Sequence, residues 1–168
     1  MGALLQVIWQ IALLRQGPQV LPASGVLLWP ALGVHWVSGV ILGGTTLPLD
    51  KAMLFSLVGT LLMVALVHGL LVLHRKHNRA AQTLTALAAC ETLVGLIAIP
   101  VTAWLYMEGA IQDIAAILSL MLFGWNIAIA AHIFRHALSV SLGMGFLFAI
   151  GYTLMSLSIG SLVVPVEG

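Results

Sequence analysis

Hydrophobic residues run along this chain in long blocks, and polar positions gather at the breaks between them. Five blocks, near residues 24–46, 52–74, 80–106, 114–135 and 142–164, are each long enough to cross a bilayer, which takes about 20 residues. The connections are short: "PLD", "RKHNR", "MEGAIQD" and "HALSVS". Pro30 and Pro100 fall inside the first and third spans, where a missing N–H predicts a kink. A further apolar stretch, Leu4 to Leu14, is too short to span. Gln6, Gln10 and Arg15 interrupt it, so residues 1–15 read as an amphipathic helix lying in the interface, with Trp9 at headgroup level. Gly17, Pro18 and Pro22 then break it. The expected fold is all-α: one membrane domain over 1–168, a polytopic transmembrane bundle of five spans plus the N-terminal interfacial helix. The spans leave no room for a soluble domain, and no internal repeat is visible.

Composition agrees. The chain is 61% hydrophobic and 7% charged, with a mean hydropathy of +1.14, whereas about a quarter of a soluble domain is charged. A net charge of +1 and the lack of a basic stripe exclude nucleic acid as a partner. Cys90 is the single cysteine, so neither an internal disulfide nor a multi-cysteine metal site is open to this chain. The first residues carry no basic stretch ahead of the apolar one, unlike a secretory signal, and Gln6 stands where a myristoylation signal wants Ser or Thr.

The charges are sorted by side. Arg15, Arg75, Lys76, Arg79 and Arg135 fall at one set of span ends, and Lys51 with Asp50, Glu108, Asp113 and Glu167 at the other. Basic residues favour the cytoplasmic face, so the N-terminus is expected in the cytoplasm and the C-terminus in the periplasm of a bacterial inner membrane. An odd number of spans is consistent with that.

A few polar residues lie inside the spans. Counting along each helix at about 1.5 Å per residue puts Glu91, His35, Asn126 and Tyr152 near the midplane. A bare carboxylate there costs roughly 2.5–3.5 kcal/mol. Glu91 is therefore either a neutral acid that donates a hydrogen bond or a group facing His35, Asn126 or Tyr152 across the bundle. It reads as an interhelical hydrogen bond, a docking point for a subunit, or part of a proton or ion path.

His68 and His132 sit at similar depth on two spans, which is what a haem between two axial histidines requires. The pairs His74/His77 and His132/His136 have metal-like spacings, yet all lie at the basic boundary, where histidine is a common interfacial residue. No cofactor and no metal is expected. Small residues at four-residue spacing mark close helix packing: Gly39 and Gly43 in the first span, and Gly145 with Ala149 and Ser156 with Gly160 in the last. No Walker loop, HExxH or GxSxG occurs, and a carboxyl dyad is excluded because Glu91 is the one acid within a span. No catalytic residue is assigned, and the chain does not read as an enzyme.

The plan resembles the Yip1 family of small five-span membrane proteins. The residues that carry the resemblance are the Gly-Pro element of "RQGPQVLPAS" ahead of the first span and the last two spans, "FGWNIAIAAHIFRHALSVSLGMGFLFAIGY", where Trp125, Ser139, Ser141, Gly143 and Gly145 fill the places of a Trp, a Ser-containing turn and a Gly-rich final span. The resemblance implies a protein that binds partners and shapes membrane without catalysis. The long cytosolic N-terminal region of the eukaryotic members has no counterpart here, so what carries over is a membrane-embedded, partner-binding scaffold. The leading expectation is thus a non-enzymatic integral subunit or scaffold of a bacterial inner-membrane complex. Its partners would be the lipid bilayer and other integral membrane proteins, in a homo- or hetero-oligomer. The alternative is a small transporter or proton-conducting component using Glu91; a further one is a haem-binding redox subunit using His68 and His132.

Overall fold

The structure, a computed structural model, describes residues 2–163. It is a bundle of six helices: α1 (Gly2–Ala12), α2 (Gly25–Gly43), α3 (Leu49–Leu73), α4 (Ala80–Leu105), α5 (Ala110–Leu138) and α6 (Leu142–Val163). Two 3-10 turns, Pro18–Val20 and His77–Arg79, complete it, and no strand occurs among the described residues. The five helices α2 to α6 are long and apolar enough to cross a membrane, as a multi-pass membrane protein requires.

Helix ends follow local chemistry. The Ser24 hydroxyl accepts from the Val26 N–H at 3.2 Å and starts α2, as an N-cap does. The Thr45 and Thr46 hydroxyls donate back to the Leu42 and Gly43 carbonyls, so α2 closes at Gly43, short of position 46. Helix α5 is longer than its predicted 114–135. It begins directly after Gly109, whose φ of +88° favours a residue without Cβ, and runs to a left-handed cap at Ser139. Val164 and Glu167, placed at the end of the last span and among the acids, lie outside the described residues.

Alternating helix directions produce two chemically different ends. Arg75, Lys76, Arg79 and Arg135 lie where α3 and α5 end and α4 begins; Asp50, Lys51, Glu108 and Asp113 lie where α3 and α5 begin and α4 ends. We call these the basic and the acidic end. At the basic end, Arg79 donates to the His136 and Ala137 carbonyls and to the Ser139 hydroxyl, at 3.0 to 3.1 Å. A cation there satisfies the unpaired carbonyls of the α5 terminus and opposes its dipole.

Helix α4 is the hub. It packs on α2, α5, α3 and α1, while α6 joins α5 to α3 and α3 joins α2. The basic half of the bundle is tight: Met63, Val67, Leu71, Leu84, Leu87, Ile129, Ile133 and Phe134 are each 3% exposed or less.

The first helix packs against the bundle. The Ile8 carbonyl accepts from the Cys90 thiol at 3.8 Å, the Ala12 carbonyl accepts from the Trp125 indole N–H at 2.9 Å, and Trp9 meets Trp125 edge-on with centroids 6.4 Å apart. Cys90 and Trp125 lie ten and thirteen residues from the basic ends of their helices, about 15–20 Å deep. Helix α1 therefore rises from the basic end into the bundle beside α4, and Ile11 and Ala12 are fully buried. There the Ile8 and Ala12 carbonyls satisfy the Cys90 thiol and the Trp125 indole N–H, polar donors that need a partner away from water.

Candidate functional site

Four helices bring one polar group each to the same depth. His35 on α2, Thr60 on α3, Glu91 on α4 and Tyr152 on α6 all lie ten to thirteen residues from the basic end of their helix, about 15–20 Å in. They are hydrogen-bonded in series. Glu91 Oε2 lies 3.1 Å from His35 Nε2, and Glu91 Oε1 accepts from the Tyr152 hydroxyl at 3.1 Å. His35 Nδ1 lies 3.0 Å from Thr60 Oγ1. The Thr60 hydroxyl donates to the Ser56 carbonyl at 2.8 Å, and the Ser56 hydroxyl donates to the Trp36 carbonyl at 2.7 Å.

One arrangement of protons that serves the whole series has the Thr60 hydroxyl donating to the Ser56 carbonyl and accepting from His35 Nδ1–H. A single proton then lies in the bond between Nε2 and Glu91. In that arrangement the pair carries no net charge, whether the proton resides on the imidazole or on the carboxyl. Both carboxyl oxygens and both ring nitrogens have partners. The two side chains are each 16% exposed, so the pair is enclosed but not sealed.

Two cavities reach it. One, of about 380 Å³, lies among α2, α3, α4 and α6; Thr46, Ser56, Thr102, Tyr152 and Ser156 line it down to His35 and Glu91. The other, of about 350 Å³, lies between α2 and α5 over α4, and Ser38, Thr102, Ser119 and Asn126 line it. His35 and Glu91 border both. Thr46 and Thr102 lie close to the acidic end. On the basic side the pair is backed by the tight apolar core, and the groove there, about 360 Å³ along α3 and α6, has Tyr152 as its one polar side chain.

The other sequence candidates are distributed as follows. Asn126, a third partner considered for Glu91, lines the second cavity and makes no hydrogen bond among the described residues. His68 is exposed on α3, whereas His132 is buried on α5 and bonds the Gln16 carbonyl at 3.0 Å. His68 thus lies on the outside of α3, while His132 Nε2 is engaged by a carbonyl near the basic end. His132 and His136 stack edge-on, centroids 4.5 Å apart, and no cluster of three metal-ligating residues occurs among the described residues. The small-residue pairs serve internal packing: a Cβ on Gly39 would strike the Ser56 side chain, one on Gly43 would touch Ala52, and one on Gly145 would strike the Ala131 carbonyl. Ser156 lines the first cavity, and Gly160 lies near the end of α6. Sequence reading passed over Thr60 and Ser56. Their signal was faint, since a hydroxyl within a span commonly bonds its own helix.

A scan of family models, a search of curated proteins and a search of solved structures each returned no match to this chain. The Yip1-like plan thus rests on the sequence features alone.

Proposed function

We propose that this protein is a proton-exchanging component of a membrane, a small transporter or part of one, with the His35–Glu91 pair as the group that gains and loses the proton. One observation carries this reading: an acid–histidine pair, 3.1 Å apart, sits at mid-depth beside a hydroxyl-lined cavity running toward the acidic end. A purely structural bond between helices needs no such cavity. Neutrality is what lets the pair rest in the membrane interior, and gain or loss of one proton creates the net charge that a transport step must move or compensate.

The basic residues support a cytoplasmic basic end. The cavity then faces the outside, the periplasm of a bacterial inner membrane. The reading is non-catalytic: the site holds and passes a proton and makes no covalent change.

The test is reconstitution in vesicles with a trapped pH dye and an imposed pH gradient. Glu91→Gln keeps a neutral hydrogen-bonding group, so the fold persists while pH-dependent flux is lost. Flux equal to that of the parent protein sinks the proposal. The scaffold reading retains one supporting feature, an apolar groove of about 580 Å³ where α1 leaves α2 and α4 partly uncovered. It predicts stoichiometric companion chains after mild detergent extraction, with Glu91→Gln leaving them bound.

A further inference from the structure

Helix α1 packs on α4 and α5. Its contacts with Cys90 and Trp125 lie at mid-depth, and the groove between it, α2 and α4 runs along α4 as far as Ile97. Helices α2 and α5 do not form one of the main packed pairs, and a cavity of about 350 Å³ lies between them over α4. Its lining residues lie at mid-depth and in the acidic half of the bundle; with α2 and α5 as membrane spans, an opening between them at this depth is a side window.

Its walls are specific. Leu42, Val94, Leu122 and Phe123 supply apolar surface. Gly95 leaves the α4 wall flat, since a Cβ there would meet nothing within 4 Å. The Ser38 and Thr102 hydroxyls donate to backbone carbonyls and keep lone pairs to accept with. The Asn126 amide, unbonded among the described residues, offers both a donor and an acceptor. A hydroxyl on the occupant satisfies both kinds of wall group. Passage through hydrocarbon selects a neutral molecule, and a lining that combines the bare Gly95 backbone with the Phe123 ring suits a ring.

We infer that this window binds a membrane-dissolved, neutral molecule with a hydroxyl-bearing ring head of the phenol or quinol class, its head seated at Asn126 beside the His35–Glu91 pair. The inference deepens the proton-exchange reading by naming the membrane-side ligand of the same pair, but its binding step stands without flux.

The experiment uses para-nonylphenol carrying a photoactivatable diazirine in its tail, added to vesicles holding the full chain. Labelled peptides are expected from the acidic halves of α2 and α5, with label displaced by excess para-nonylphenol and not by nonylbenzene, which lacks the hydroxyl. Gly95→Phe fills the window and removes the displaceable label, while Gly124→Phe, on open α5 surface, retains it. Asn126→Leu weakens the probe about fivefold, roughly one hydrogen bond. Equal displacement by nonylbenzene, or displaceable label that persists in Gly95→Phe, overturns the inference. Glu91→Gln separates the two readings: lost flux with retained label upholds both, whereas parent-like flux with retained label removes only proton exchange.

Discussion

Glu91 Oε2 and His35 Nε2 face each other across 3.1 Å on two different spans, and this contact organises the middle of the protein. Removing one partner leaves the other polar and alone, which costs about 3–5 kcal/mol for a buried pair; the partial exposure here places the effect at the lower end. His35→Ala is therefore expected to lower the unfolding temperature clearly in detergent, and His35→Ala combined with Glu91→Leu to recover part of the loss. Additive losses in that double-mutant cycle would show that the two residues are not coupled.

Tyr152→Phe removes the hydroxyl that donates to Glu91 Oε1 but keeps the ring beside Phe134, with centroids 6.0 Å apart. Interhelical hydrogen bonds in membranes average about 0.6 kcal/mol, so thermal stability should drop only slightly. The larger effect is expected in the pH dependence of vesicle flux, because one contact to the carboxyl group is gone.

Close approach of α2 to α3 depends on a missing side chain. Gly39→Ala places a methyl group against Ser56, whose hydroxyl is already committed to the Trp36 carbonyl, and overpacking of this kind costs about 1–3 kcal/mol. Gly59→Ala and Gly69→Ala, where nothing lies within 4 Å, should leave stability unchanged. Thermal unfolding of the three variants side by side checks the contrast.

Trp125→Phe deletes the indole N–H that holds the Ala12 carbonyl. Helix α1 is expected to loosen from α4 and α5, with amide exchange rising over residues 8–14 and little change in α3. Exchange that stays parent-like in α1 would mean that apolar contact from Ile11 suffices.

Arg79→Gln weakens a cap on the α5 terminus that combines two carbonyls and a hydroxyl. A loss of about 1–3 kcal/mol is expected from hydrogen bonds to a charged group, against nearly none for the exposed Arg75→Gln. Chemical unfolding of both variants measures it.

The sequence by itself determined the membrane class, the count of spans and the sorting of charge to two ends. These follow from block length and composition, which act locally and need no partner. It also singled out Glu91, because a carboxyl group inside an apolar run conflicts with its solvent wherever the helices go. The tertiary structure decided the rest. Only helix packing chose His35 and Tyr152 over Asn126 as the partners of Glu91, added Thr60 from a third helix, and turned Gly39 and Gly145 inward. It also docked α1 against α4 and α5. In a span apolar on every side, the sequence pattern carries no preferred face, so the rotation of each helix, and with it the site, is set by contacts among residues far apart in the chain.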